Sequence, residues 1–259
     1  IKGKPFSSEN KFGVNDNMKI DLILASGIKT NRELHEKTVV VIDVLRASST
    51  IITALANGCV DLLPVAEPGD AAFINRQIGA CCLTGGERNG LKIPGFDLGN
   101  SPLEYSAEVV AEKRIILCTS NGTKALKEAQ NAAEILIGAF LNAGRTSLYL
   151  KDKQEVVLFC AGRNGELGLD DLLCAGLIVE NLLAQEVEVE LTDAAQLGLI
   201  SYRHLVGGKT SELAAILYQA EHTRYLASIG FAADITYCAQ VDFLPYLITY
   251  KGGRVVMED

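Results

Sequence analysis

The sequence predicts an α/β protein in three layers, with a mostly parallel sheet flanked by helices. Three observations carry this. Val39-Val40-Val41-Ile42 is an unbroken β-branched run, the mark of a strand buried on both faces. Strand-like and helix-like segments alternate along the chain, the pattern of a parallel sheet covered by helices. Leu247-Ile248-Thr249-Tyr250 and Arg254-Val255-Val256-Met257 flank Lys251-Gly252-Gly253, an antiparallel C-terminal hairpin expected at the sheet edge.

Taken in order, the first strand is expected at 38–44 and its helix at 49–57. Ser48, Ser49 and Thr50 can cap that helix, and Asn57-Gly58 ends it. Strands follow at 60–65 and 80–84, and helices at 69–78 and 103–112. Between them, Thr84 to Ser101 reads as the one long irregular segment, of the kind that often serves function. Arg114-Ile115-Ile116-Leu117 opens a strand at 114–119, and a helix at 123–130 follows Asn121-Gly122. A strand at 134–137 leads to a helix at 139–149. Glu155-Val156-Val157-Leu158 opens a strand at 155–160, ahead of a helix at 170–185 that Asp171 can cap. A strand at 186–191 and helices at 193–206 and 211–228 precede the hairpin.

The chain of 259 residues can bury a full core, as one large domain or as two similar lobes. Residues 1–17 lack the basic start and apolar block of a signal peptide. They read as a leader or a cloning remnant, with Met18 as the natural start and 18–259 as a single α/β domain. No apolar run reaches the ~20 residues that span a bilayer. A net charge of −8 with no basic block argues against a nucleic-acid surface. An acidic protein that binds an anion must gather positive charge locally. The seven cysteines form no CxxC and lie mostly in apolar surroundings, which suits free thiols in a reducing cytoplasm better than zinc. The composition admits a homo-oligomer.

The strand run ends in Asp43-Val44-Leu45-Arg46-Ala47-Ser48-Ser49-Thr50. An acid and an arginine at the carboxyl end of a buried strand sit where open α/β sheets bind ligands. Asp43 reads as a Mg²⁺ ligand, with a structural ion pair to Arg46 as the competing role. Arg46 can fork onto an anion, while Ser48 or Ser49 can serve as a plain cap. A second cradle is Cys118-Thr119-Ser120-Asn121-Gly122-Thr123, whose glycine lets backbone N–H groups approach an anion. A third is Cys160-Ala161-Gly162-Arg163-Asn164-Gly165-Glu166, which repeats the Arg88-Asn89-Gly90 of the irregular segment. Asp170, just beyond, can ligate metal or cap its helix. The ends of the strands at Asp43, Thr119 and Cys160 are expected to face one cleft. The acids Asp43, Glu87, Asp97 and Asp170 beside anion-binding motifs favour catalysis, because carboxylates help an anion site only with a cation. His35 reads as solvated, and His204 and His222 as packed or surface residues of helices. There is no GxSxG elbow, no Walker loop, and no DxD pair at Asp43.

Together these segments, with Gly85-Gly86-Glu87-Arg88-Asn89-Gly90, Phe96-Asp97-Leu98-Gly99-Asn100-Ser101-Pro102, Ala233-Asp234-Ile235 and Cys238-Ala239-Gln240, resemble the 2-phosphosulfolactate phosphatase family. The resemblance runs from Met18 to about Arg254. It implies a Mg²⁺-dependent acid phosphatase that converts 2-phospho-3-sulfolactate to 3-sulfolactate and phosphate, a step towards coenzyme M. Under it, Asp43, Arg46 and Glu87 are expected to be catalytic. Asp43, Glu87 and Asp170 are the candidate Mg²⁺ ligands. Ser48, Ser49, Asn121, Gly122 and Thr123 would meet phosphate. Arg88 and Arg163, with Asn89 and Asn164, would hold the carboxylate and sulfonate. A metal-activated water is the preferred nucleophile, with an aspartyl-phosphate on Asp43 as the alternative. Two other functions stay in view: a phosphatase for another small phosphorylated carboxylic acid, and a non-catalytic sensor of an organic anion.

Overall fold

The computed structural model describes residues 17–27, 33–78 and 81–258. Apart from Asn17, the expected leader at 1–17 lies outside the described residues. In chain order the elements are β1 (Met18–Ile23), β2 (Thr38–Ile42), α1 (Ala47–Ala56), β3 (Asp61–Val65), α2 (Pro68–Ile78), β4 (Cys82–Arg88) and β5 (Leu91–Lys92). Then come α3 (Ala107–Val110), β6 (Arg114–Cys118), α4 (Gly122–Ala129), β7 (Glu134–Gly138), α5 (Ala143–Leu150), β8 (Glu155–Cys160) and α6 (Leu169–Ala184). The chain continues through β9 (Val189–Leu191), α7 (Asp193–Leu205), α8 (Leu213–Leu217), α9 (Glu221–Ser228), α10 (Ala232–Cys238), β10 (Leu247–Lys251) and β11 (Arg254–Glu258).

The strands form one 11-stranded sheet in the order β5-β4-β6-β3-β11-β10-β7-β2-β8-β1-β9. Strand β2 shows why it forms here. Side chains alternate across a strand. Val40 and Ile42 join one apolar cluster with residues of α5, α6 and α7. Val39 and Val41 join the other, with residues of α1 and α4. Every residue of β2 is buried, as its continuous apolar run requires. Burying each such side chain stabilises the fold by about 1.5–3 kcal/mol.

The hairpin lies at the centre of the sheet, not at its edge. Strands β11 and β10 stand between two parallel groups, β4-β6-β3 and β7-β2-β8-β1-β9. The physical reason is legible afterwards. Edge strands usually carry charges or prolines that block further pairing. Here Ile248 and Val255 are fully buried, and the hairpin's basic residues Lys251 and Arg254 lie at its tip.

All three seams between β3 and β7 are antiparallel, so the two parallel groups run in opposite senses. In a flat sheet their carboxyl ends would lie on opposite edges. A sheet twists by roughly 20–25° per strand, so the steps from β6 across to β8 accumulate well over 90°. In the folded chain residues following β2, β4, β6 and β8 meet on one side. The contact is direct: a Cβ built on Gly122, just after β6, would lie 2.9 Å from Asp43 Oδ2, just after β2.

Other elements differ from expectation. Strand β1 was not expected; it pairs in parallel with β8 and β9. The helix expected at 211–228 is broken into a 3₁₀ turn, α8 and α9, and α10 follows as an additional helix. The helix expected at 103–112 is a 3₁₀ turn at Pro102–Glu104 and the short α3. Strand β4 runs on through Gly85-Gly86 as far as Arg88, into the segment read as irregular. Glycine permits this: a Cβ on Gly86 would stand 2.0 Å from the Cys118 carbonyl oxygen. The remainder of the segment folds back along β4, where Asp97 Oδ2 accepts from both the N–H and the hydroxyl of Thr84, each at 2.8 Å. Asp97 is thereby a local brace. Among the described residues no helix is long and apolar enough to cross a membrane.

Candidate active site

A cleft of about 170 Å³ opens where the carboxyl ends converge. Asp43, Leu45 and Arg46 reach it from the end of β2, and Glu87, Asn89 and Gly90 from the β4–β5 turn. Ser120 and Asn121 come from the start of α4, Arg163 and Asn164 from the turn after β8, and Asn100 from the folded-back loop. The remaining wall is α9, through His222, Tyr225 and Leu226.

Asp43 is fixed by the start of α1. Its Oδ1 accepts from the Ala47 N–H at 3.1 Å, its N–H donates to Ser48 Oγ at 3.0 Å, and its carbonyl accepts from the Ser48 N–H at 2.8 Å. No described residue donates a hydrogen bond to its Oδ2. Burial pushes its carboxyl up from 3.8 to about 7. Asp170 and Glu87 add to the rise by repulsion, while the Ala47 N–H and Arg46 oppose it. Water is the better solvent for a charge, so a buried acid beside other acids keeps its proton to higher pH than an exposed one, and a cation reverses this.

The neighbouring acids tie loops together. Glu87 accepts from the Ser120 N–H through Oε1 and from the Gly90 N–H through Oε2, each at 2.8 Å. Asp170 Oδ2 accepts from the Leu45 N–H at 3.1 Å. Asp171 spans two loops, accepting from Val44 N–H at 2.8 Å and Gly162 N–H at 2.9 Å. Burial raises the carboxyls of both Asp170 and Asp171.

Several expected contacts point elsewhere. The Ser48 and Ser49 hydroxyls are buried and donate to their own chain, at Val41 O and Val44 O. Thr123 is turned inward: its N–H donates to Thr119 Oγ1 and its hydroxyl to Thr119 O. Gly122 leaves room for Asp43 Oδ2 and for Ala47, whose Cβ lies 2.7 Å from the position a Gly122 Cβ would take. Arg88 does not line the cleft. Its guanidinium donates to the carbonyls of Glu87 and Ala66, at 2.9 and 2.6 Å, and to Cys118 Sγ.

Arg46 lines the cleft but is heavily engaged. It donates to Asp234 Oδ2 at 2.8 Å and to Gly90 O at 2.5 Å, and lies 4.0 Å from the Phe231 ring centroid. Ser101 Oγ steadies Asp234 from the other side at 2.7 Å. Arg163 is the opposite case. Its polar partner among the described residues is Glu221, at 3.9 Å and 89% exposed. Its guanidinium carbon lies 4.9 Å from the Tyr225 ring centroid.

Sequence reasoning set aside His222 and did not reach Tyr225 or Leu226. His222 pairs with Leu45 O through Nε2 at 3.0 Å. The signal was their spacing at i, i+3 and i+4, which puts all three on one helical face. Asp234 and Ser101 lay within motifs of the resemblance but had no role attached.

The sequence matches the family model for 2-phosphosulpholactate phosphatase over residues 23–253. The chain belongs to that family. A Clostridium novyi protein named "Probable 2-phosphosulfolactate phosphatase" is 40% identical over 228 residues, 88% of this chain and 94% of the relative. One of the same name from Clostridium tetani is 38% identical over 239 residues, 92% of this chain and 100% of the relative. For a phosphatase family, what the acids can hold matters. Among the described residues no three His, Cys, Asp or Glu side chains form a metal cage. Mg²⁺ rarely needs one, since it keeps several waters and takes one or two carboxylates plus substrate phosphate. The free Asp43 Oδ2, with acids crowding it, fits that minimal donor set.

Proposed function

We propose that this chain hydrolyses the phosphate ester of 2-phospho-3-sulfolactate to 3-sulfolactate and phosphate, with Mg²⁺ as cofactor, in the cytoplasm. The observation that carries the reading is the pairing, in one cleft, of a buried acid with an open oxygen and an arginine with open donors. Asp43, through Oδ2, would hold Mg²⁺, with Glu87 and Asp170 as outer acids. When bound, the ion supplies charge neutralisation at the phosphoryl oxygens and lowers the pKa of a ligated water.

The chain's own residues do the rest. Asn121, at the start of α4, faces the phosphate, and the oriented N–H groups of that helix favour an anion. Arg46 adds positive charge from a fixed position. Ser48, Ser49 and Thr123 act at one remove, shaping the turns that present Asp43 and Asn121. Asn89 and Asn164 flank the carbon skeleton. Arg163 takes the carboxylate or sulfonate, and α9 closes the side of the cleft against water. Arg88, tied to Ala66 and Cys118, shapes the β4–β5 turn instead of touching the ligand. The seven free cysteines suit a reducing compartment.

The test is phosphate release from 2-phospho-3-sulfolactate and a panel of three-carbon phosphoesters, with Mg²⁺ and with a chelator. Mg²⁺-dependent hydrolysis with preference for the sulfonated ester is expected. Preference for another phosphorylated acid would change the substrate, and ligand binding without turnover in Mg²⁺ would make the protein a sensor.

A further inference from the structure

We propose that Tyr225 sets the selectivity of the cleft for esters carrying a second acidic group, by seating the Arg163 guanidinium that grips that group. The proposal rests on the phosphatase reading above.

Three arginines come from the motifs around the cleft, and two are held in place by hydrogen bonds to other residues of the fold. Arg46 is held by Asp234 and Gly90, and Arg88 by Ala66, Glu87 and Cys118. Arg163 is not held this way. Glu221 is too far away and too exposed to fix it, at 3.9 Å and with its side chain 89% in solvent. A surface pair of that kind contributes little. What locates the guanidinium is the Tyr225 ring, 4.9 Å from its carbon. A cation at that distance is attracted by the negative face of the ring, which consumes no N–H donor. The arginine is therefore both placed and unspent, the condition for a bidentate grip on a carboxylate or sulfonate.

Tyr225 has a second attachment. Its hydroxyl donates to the Asn89 carbonyl at 2.9 Å. One side chain thus touches both Asn-Gly turns, the ring under Arg163 of one and the hydroxyl on Asn89 of the other. Across the cleft the turn after β8 is also tied to α4, where the Asn164 N–H donates to Asn121 Oδ1 at 3.2 Å. The acid-binding end is in this way set at a fixed distance from the phosphate end. Tyr225 is a positioning residue, acting through Arg163.

The experiment is a double-mutant cycle on the full chain with Mg²⁺. Tyr225→Leu, Tyr225→Phe, Arg163→Ala and Tyr225→Leu/Arg163→Ala are assayed on 2-phospho-3-sulfolactate and on 4-nitrophenyl phosphate, which has no second acid. Tyr225→Leu is expected to raise KM for the sulfonated ester about tenfold, with a clearly smaller change on the aryl ester. Tyr225→Phe keeps the ring and should recover most of that loss. In the Arg163→Ala background, Tyr225→Leu should cost little more, because the group it seats is gone. An equal loss on both esters, or a full Tyr225→Leu loss persisting without Arg163, overturns the proposal. If the wild type hydrolyses neither ester, the phosphatase reading fails by itself. Calorimetric binding of 3-sulfolactate to the same proteins then decides, with the same non-additive pattern supporting the seat and additive losses refuting it.

Discussion

The two Arg-Asn-Gly turns have the same backbone and send their arginines in different directions. Asn89 and Gly90 have φ of 53° and 77°, and Asn164 and Gly165 have 52° and 83°. Each turn closes a two-residue antiparallel connection, Arg88 opposite Leu91 and Arg163 opposite Glu166. Positive φ at both central residues is what such tight hairpins require, and Asn-Gly supplies it at least cost. The first turn gives the cleft Asn89 and Gly90, while its arginine runs back to Ala66 and Cys118. The second gives the cleft its arginine. A local motif fixes the path of the chain. The side chain's direction is set by whichever acceptors and rings the rest of the fold places beside it.

Predictions can break or sharpen that contrast. The largest effect is expected at the acid that ends β2. Asp43→Asn keeps the shape, removes the charge proposed to hold Mg²⁺, and should lower kcat by orders of magnitude with the circular dichroism spectrum unchanged. Near-normal activity at limiting Mg²⁺ would make Asp43 structural.

Next come the arginines themselves. Arg163→Ala should cut kcat/KM on the sulfonated ester by about a hundredfold, and far less on an aryl phosphate. Arg88→Ala should show no such substrate bias, and its loss should appear as a lower Tm. A biased Arg88→Ala would mean that both arginines reach the ligand.

A smaller effect is expected from Asp234→Asn. Weakening one charge-assisted bond to Arg46 should cost about tenfold on both esters alike, measured as kcat/KM. A loss confined to the sulfonated ester would move Arg46 to the acid-binding end.

The smallest is a pH effect on stability. The Asp43 carboxyl titrates near 3.8 when exposed and at about 7 in the fold. Between those values the folded protein binds more protons than the unfolded chain, so metal-free stability should fall as pH rises through this window. Raised Asp170 and Asp171 carboxyls act in the same direction. Mg²⁺ should restore Tm most at the upper end, where Asp43 must ionise to bind it. Thermal melts across pH, with and without Mg²⁺, check this, and Asp43→Asn should flatten the slope.

The uneven legibility of the chain follows the same contrast. Strand β2 was readable because a strand buried on both faces reads as a continuous apolar run, here Val39 to Ile42. The hairpin's pairing was readable from Lys251-Gly252-Gly253, but its neighbours β3 and β7 were not, since lateral pairing leaves no local mark. Strand β1 alternates Met18, Ile20 and Leu22 inward, a pattern overshadowed by reading Met18 as a start. Glu87 and Asn121 were found at the cleft through their turns. Ser48, Ser49 and Arg88 were misdirected because a hydroxyl or guanidinium looks the same in sequence whether it faces a ligand or a carbonyl. His222 and Tyr225 were missed because α9 belongs to no loop at a strand end.

The central hairpin also has a consequence for how the chain is made. A protein leaves the ribosome amino end first. Asp43 and Arg163 belong to the β7-β2-β8-β1-β9 group of strands, Glu87 and Ser120 to the β4-β6-β3 group, and β10 and β11 are the strands that bond one group to the other. Those two strands are translated after the strands of both groups. Both halves of the cleft therefore exist on the nascent chain, joined only by loop contacts such as Arg46 to Gly90 and Asn164 to Asn121, before β10 and β11 make the two groups one sheet. Ribosome-stalled chains ending before Leu247 should accordingly contain folded helices and bind no sulfolactate, and supplying β10–β11 as a separate peptide is the direct way to see whether the stitch alone completes them.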